Sequence, residues 1–148
     1  MSKISDYFTE DAIACNIKCG SWKEAIREAG RLLVKTGVAE ENFIDKMIEY
    51  VEQFGPYIVI LPGFALAHAR PEDGVIKTGI SLITLETPVN FGNEDNDPVS
   101  IVVALACRER GTHLECLGDI VRIIDSMDNR DTILSAKHAS EIYKILCK

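Results

Sequence analysis

Hydrophobic residues recur with the helical period in some stretches of this chain and form continuous runs in others, and the two patterns predict helices and strands. In the first third, apolar residues return every three or four positions, as one face of an α-helix requires. The first such stretch begins at Ser21, the first residue of a capping box, and ends near Gly37. The second runs over residues 40–54, and the Gly-Pro pair that follows stops it. We therefore predict two amphipathic helices before residue 56.

Runs rich in Val and Ile in the middle of the chain predict a buried β-sheet. They cover residues 57–61, 78–85 and 99–106, and clusters of Pro, Gly, Asn and Asp bound them. The last run is apolar almost throughout, as in a strand that helices cover on both faces. Asn93 to Asp97 is a polar loop between the second and third runs.

The helical period returns in the last third of the chain. A second capping box, Thr112 to Glu115, predicts a helix start, and shorter helices are predicted at 131–136 and 140–146. No linker, repeat or charge block divides the sequence. We predict one α/β domain over residues 1–148, with a mixed central β-sheet flanked by helices on both faces.

Composition and charge narrow the range of partners. The 16 Lys and Arg residues against 23 Asp and Glu give a net charge of -7, the wrong sign for binding nucleic acid. The longest apolar runs are shorter than the roughly 20 residues that span a bilayer, and the N-terminus lacks the features of a signal peptide. The five cysteines include no CxxC pair, which favours reduced thiols. We expect a cytoplasmic protein without membrane insertion.

Two of the three histidines occupy places suited to chemistry. His68 lies in an extended segment just before a charged turn, and His113 falls at the first position of the predicted third helix. Unpaired amides at a helix start favour a nearby anion, so two such histidines could bind a group such as phosphate. The spacing alone favours structural histidines over functional ones. His138 is predicted to be a surface or capping residue.

A zinc site is the competing chemical hypothesis. Cys107, His113 and Cys116 are close in sequence and are suitable ligands, but their spacing fits no standard zinc motif. Both cysteines fall in apolar elements where inert buried thiols are usual. The sequence also lacks a Walker loop and a GxGxxG fingerprint, so nothing in it predicts a nucleotide site.

A long motif in the middle of the chain carries a family resemblance. Residues 55–75, GPYIVILPGFALAHARPEDGV, resemble the active-site segment of mannitol/fructose-type enzyme IIA domains of the bacterial sugar phosphotransferase system (PTS). Within that group the segment is most similar to the ascorbate-type IIA proteins. The resemblance covers nearly the whole chain and includes PVxFG at 88–92, NDPV at 96–99 and HLxxL at 113–117.

The resemblance implies a phosphotransferase that acts as a phosphoryl carrier. His68 would accept a phosphoryl group from phospho-HPr on the ring nitrogen farther from the backbone, and would pass it to a cysteine of a IIB component. His113 would bind and orient that group. The IIC permease is implied only indirectly, and no metal or cofactor is implied. The sugar would be L-ascorbate, with mannitol, fructose, galactitol or another pentitol as the alternatives. A regulatory IIA-like module and an unrelated α/β binding protein are the alternatives.

Two departures from the family pattern bear on the site. Ala67 stands where family members commonly have proline, and no arginine occurs at 52–55, where the mannitol branch has one upstream of its motif. Arg70, or helix amides, could supply the positive charge instead. We also expect an apolar rim of Phe64, Leu66 and Ala67 around an exposed His68. The acidic residues farther out, which would meet a basic HPr surface, are Glu72, Asp73 and Glu115.

Overall fold

Five strands form a mixed sheet at the centre of the described part of the chain. The structure is a computed structural model that describes residues 4–147, without the side chains of 110–114 and 116. The strands are β1 (Ile13–Ile17), β2 (Val59–Leu61), β3 (Phe64–His68), β4 (Gly79–Val89) and β5 (Val99–Ala106). Their order across the sheet is β1-β4-β5-β3-β2. The β1/β4 and β3/β5 pairs are parallel, and the β4/β5 and β2/β3 pairs are antiparallel.

Five helices cover the two faces of this sheet. They are α1 (Trp22–Lys35), α2 (Glu41–Phe54), α3 (Arg110–Ile124), α4 (Met127–Ser135) and α5 (Ala139–Leu146). Helices α1 and α2 bury residues such as Ile26 and Phe43 against one face, and α3, α4 and α5 bury residues such as Ile124 against the other. The predicted α/β class, with a mixed sheet flanked by helices on both faces, is therefore confirmed. In the described residues, no helix has the length and apolar character that crossing a bilayer requires.

Several predicted element bounds differ from the structure, among them the end of β4, which reaches Val89 where the predicted run ends at 85. Strand β1 was not predicted, and the segment around His68 that was predicted only as extended contains strand β3. Helix α3 begins at Arg110, two residues before the capping box from which its start was predicted. Helix α4 begins at Met127 because Ser126 caps it, its hydroxyl accepting a hydrogen bond from the Asn129 amide at 3.4 Å.

The carboxyl ends of β3 and β5 meet at one edge of the sheet, close to the start of α3. Strands β3 and β5 run parallel, so their carboxyl ends meet there, and His68 at the end of β3 lies in register with Leu105. Ala106 ends β5 opposite Gly79, the first residue of β4. Helix α3 begins four residues after β5 ends. The end of β3 and the start of α3 are thus brought to the same edge of the sheet, where α/β proteins commonly bind ligands.

Close packing at this edge gives a stability prediction. A Cβ at position 79 would lie 2.7 Å from Val38 Cγ1, and the Val38 side chain is buried. We expect Gly79→Ala to lower the free energy of unfolding by about 1–3 kcal/mol, measured by urea denaturation. Gly118→Ala is the control, because no described atom lies within 4 Å of a Cβ there. It should raise stability by roughly 0.5–1 kcal/mol, and equal effects of the two changes would contradict the assigned packing.

Candidate functional site

His68 is held at the end of β3 by its own strand. The residues before it, Phe64 to Ala67, are buried, whereas His68 is half-buried. Its Nδ1 lies 3.1 Å from the Leu66 carbonyl oxygen. A carbonyl only accepts, so this contact requires Nδ1 to donate its proton, and the lone pair of the neutral ring is then on Nε2. Local backbone geometry thus selects one tautomer of His68.

A small open cavity adjoins His68. Its volume is about 160 Å³, and its lining consists of Tyr50, Phe54, Tyr57, His68, Ala69 and Arg70. The Tyr57 ring meets the His68 ring edge-on, with centroids 5.7 Å apart and planes at 84°. Burial raises the pKa of Tyr57, which keeps its phenol neutral. Pockets that enclose a ligand typically measure about 300–1,000 Å³, so this cavity suits a small group presented from outside.

Arg70 lies in a tight turn beside the cavity. Its backbone amide donates to the Asp73 carboxylate (Oδ2) at 2.9 Å, and the Tyr50 hydroxyl donates to the same oxygen at 2.6 Å. The Arg70 guanidinium lies over the Tyr50 ring, with its carbon 5.5 Å from the centroid. The hydrogen bond to Asp73 raises the pKa of Tyr50. Arg70 is the one cationic side chain in the described lining of this cavity.

The predicted apolar rim is wrong in its residues. Phe64, Leu66 and Ala67 are at most 2% exposed, because a strand covered by helices on both faces buries both sets of alternating side chains. The exposed apolar residues at the cavity are instead Phe54 and Tyr57, 61% and 44% exposed.

The predicted acidic surface is partly wrong. Asp73 is buried and holds the turn, so it cannot meet a partner protein. Glu72 and Glu115 are exposed, as a docking role would require.

The second histidine is placed only through its backbone. His113 lies in the first turns of α3, as the fourth residue of the helix and not the first, and its side chain lies outside the described residues. Because α3 starts beside the end of β5, this backbone is on the edge of the sheet where β3 ends. His138 precedes α5 as its N-cap residue without a side-chain capping bond.

The zinc hypothesis is not tested as a whole, because two of its three side chains, His113 and Cys116, lie outside the described residues. The Cys107 thiol donates to the Glu109 carbonyl at 2.9 Å. Among the described side chains, no group of three or more His, Cys, Asp or Glu residues is arranged to hold a metal ion.

Two residues of the cavity, Tyr50 and Phe54, were not predicted from the sequence. Both lie on α2, inside the helix predicted at 40–54, and the apolar period of that helix does not say which of its side chains reach a cavity. The structure shows Phe54 exposed and Tyr50 half-buried against the turn at 70–73. A helix of this length has residues on several faces, and only the packing of α2 decides which of them point to the cavity.

Comparisons with known proteins agree on one family. The family model described as "Phosphoenolpyruvate-dependent sugar phosphotransferase system, EIIA 2" matches residues 6–148. The ascorbate-specific PTS system EIIA component of Salmonella typhimurium is 38% identical over 146 residues, covering 97% of this chain and 95% of that protein. The corresponding Escherichia coli K12 component is 37% identical with the same coverage.

Solved structures give the same result for the fold. The mannitol-specific cryptic phosphotransferase enzyme IIA of Escherichia coli superposes with a TM-score of 0.86 at 29% identity, over 98% of both chains. The IIA mannitol protein of Escherichia coli gives a TM-score of 0.82 at 25% identity, over 94% of this chain and 98% of that one. The resemblance inferred from the motif at 55–75 is thereby confirmed.

Proposed function

The chain belongs to the EIIA 2 family of the phosphoenolpyruvate-dependent sugar phosphotransferase system, and from this premise we propose that His68 is its phosphoryl acceptor. The observation that supports this assignment is the contact between His68 Nδ1 and the Leu66 carbonyl, beside an open cavity. The contact leaves the lone pair on Nε2, the nitrogen a nucleophile needs.

The first step of the proposed function is acceptance from phospho-HPr. The Nε2 lone pair attacks phosphorus, the P–N bond to the donor histidine breaks, and the donor nitrogen leaves with its electron pair. The His68 ring then has substituents on both nitrogens and a positive charge. The Leu66 carbonyl, 3.1 Å from Nδ1, stabilises that charge because it accepts a hydrogen bond from the protonated Nδ1.

The second step is transfer to the cysteine of a IIB component. The IIB thiolate attacks phosphorus, a P–S bond forms, and the P–N bond to Nε2 breaks with its electron pair returning to the ring. Because Nδ1 keeps its proton throughout, His68 is restored in the tautomer that accepts the next group. Neither step needs a metal or another cofactor, since positioning and charge stabilisation account for such a transfer.

Two residues are assigned to bind the phosphoryl group: Arg70 supplies positive charge, and His113 orients the group. Arg70 lines the cavity and is anchored through its backbone to Asp73. His113 is assigned the orientation of the phosphoryl group, supported by the position of its backbone in the first turns of α3. Helix amides at this end of α3 would add partial positive charge.

A shallow site requires partners that bring their reacting groups to it. The exposed rings of Phe54 and Tyr57 form an apolar border beside His68, suited to the centre of a protein interface. The net charge of -7 favours encounter with a basic surface, which we assign to HPr. HPr and IIB would use the same face in succession, because both must reach Nε2.

The proposed sugar is L-ascorbate, and the proposed location is the cytoplasm, with the IIC permease as an indirect partner. The relatives at 37–38% identity that bear the ascorbate-specific name support the sugar. Because a IIA component does not touch the sugar, this specificity would lie in recognition of the matching IIB component.

Reconstitution of the transfer chain tests this proposal. The chain is incubated with phosphoenolpyruvate, enzyme I and HPr, and then with an ascorbate-type or a mannitol-type IIB. We expect one phosphoryl group per chain and faster transfer to the ascorbate-type IIB. Phosphorylation without transfer to either IIB would favour a regulatory module, and no phosphorylation at all would overturn the carrier function.

A further inference from the structure

Tyr50 touches both parts of the turn that contains Arg70. Its hydroxyl donates to Asp73 Oδ2 at 2.6 Å, and its ring lies 5.5 Å from the Arg70 guanidinium carbon. We infer that Tyr50 is a positioning residue for Arg70. Its hydroxyl donates a hydrogen bond to the Asp73 carboxylate, and its ring provides a face on which the Arg70 guanidinium lies. Together these contacts keep the positive charge of Arg70 at the His68 cavity. This inference rests on the proposed function of His68.

Contacts with the start of α2 fix the backbone of the turn that contains Arg70, but they do not fix the Arg70 side chain. Asn42 of α2 donates to the Asp73 carbonyl at 2.9 Å, and the Glu40 amide donates to the Gly74 carbonyl at 2.8 Å. Gly74 has a φ of 114°, and a Cβ there would lie 2.7 Å from the Asn42 side chain. The turn is therefore fixed to the start of α2. The position of the guanidinium then depends on what its own side chain contacts.

The Asp73 carboxylate is the group that could bind the Arg70 guanidinium in place of the Tyr50 ring. Its carboxylate is buried, three residues from Arg70, and its Oδ2 accepts from both the Arg70 amide and the Tyr50 hydroxyl. The Arg70 guanidinium could also form a charge-assisted pair with this carboxylate, which has more acceptor sites than these two bonds use. The Tyr50 hydroxyl competes with it at Oδ2, which favours the position of the guanidinium over the ring.

The Tyr50 ring positions Arg70 by binding its guanidinium group. Guanidinium groups bind the faces of aromatic rings, weakly when exposed and more strongly when water is excluded. Tyr50 and Arg70 both line the cavity beside His68, so a guanidinium on the Tyr50 face is on the cavity side of the turn. Arg70, positioned by Tyr50, thus supplies positive charge at the cavity of a chain that has no arginine at 52–55.

Tyr50→Phe tests the inference because it removes the hydroxyl and keeps the ring. Rapid-quench kinetics of transfer from phospho-HPr should show the maximal rate lowered about tenfold, the size expected for one hydrogen bond to a charged group. Half-saturation for phospho-HPr should not change. Tyr143→Phe is the matched control, because it also removes one tyrosine hydroxyl. Tyr143 lies on α5, where its ring packs on Phe8 outside the cavity.

Two double variants separate positioning from a structural role. Tyr50→Phe combined with Arg70→Ala should be no slower than Arg70→Ala alone, because Tyr50 acts only through Arg70. Tyr50→Phe combined with Asp73→Asn should regain most of the lost rate, because the neutral amide no longer attracts the guanidinium. Urea denaturation of each variant shows whether a change in the free energy of unfolding accompanies the change in rate.

The outcomes distinguish this inference from the proposed function. An unchanged maximal rate in Tyr50→Phe, or additive losses with Arg70→Ala, would overturn the positioning role while wild-type His68 phosphorylation stands. Failure of the wild-type chain to accept phosphate from active HPr would instead overturn the proposed function.

Discussion

His68→Ala is expected to abolish phosphoryl acceptance from phospho-HPr. The proposed reacting atom is Nε2, and no other described side chain in the cavity lining is an imidazole or a thiol. The Nδ1 contact is to Leu66 within the same strand, so its loss should cost only about 1 kcal/mol of folding free energy. Loss of label in a folded variant would therefore report loss of the nucleophile and not loss of the fold.

The measurement is label transferred from phosphoenolpyruvate through enzyme I and HPr, with intact-mass analysis under non-acidic conditions. His138→Ala is the control, because His138 lies at the start of α5 and outside the cavity. It should accept phosphate at the wild-type rate. Full labelling of His68→Ala would show that the acceptor is elsewhere in the chain.

His113→Ala should slow acceptance by about 10²–10³-fold while leaving the final extent of phosphorylation unchanged. Removal of one group that stabilises charge in a transition state typically has an effect of that size. The structural reason is the position of His113 in the first turns of α3, at the sheet edge where β3 and β5 end together. Single-turnover kinetics with phospho-HPr would measure the rate, and mass analysis at long times would measure the extent.

The combination of a slow rate and full extent is what separates the two histidines. An acceptor lost by mutation reduces the extent, whereas a lost orienting group reduces only the rate. A His113→Ala variant that transfers at the wild-type rate would remove His113 from the site. A variant without any label, but with a wild-type unfolding transition, would make His113 the better candidate for the acceptor.

Periodicity predicted the parts of the fold whose patterns are long and regular. Helices α1 and α2 and strand β5 lie within one or two residues of their predicted bounds, because each has a strong cap, a sharp stop or a continuous apolar run. Strand β1 is a short run of mixed polarity at an edge of the sheet, and its pattern is too weak to predict. The capping box at 112 was misleading because a favourable local signal does not prevent a helix from starting earlier.

The candidate site also contains some residues that the sequence predicted and others that only the packing of the fold places there. The motif around His68 and Arg70 identified residues that the structure places on one cavity. The roles of Tyr50, Phe54 and Asp73 depend on how α2 packs against the turn at 70–73, which is a tertiary contact that no local pattern contains. The burial of Phe64 to Ala67 was missed for a related reason, since an extended segment becomes a two-sided core strand only when both helical layers are present.

The central claim is that Nε2 of His68 carries the phosphoryl group while Nδ1 keeps its proton and donates a hydrogen bond to the Leu66 carbonyl. The most direct test is NMR of the phosphorylated protein with ¹⁵N-labelled histidine, which identifies the ring nitrogen bonded to phosphorus by its coupling to ³¹P. We expect coupling at Nε2 of His68 and a retained Nδ1 proton. Coupling at Nδ1 of His68, or at a nitrogen of His113 or His138, would contradict the claim.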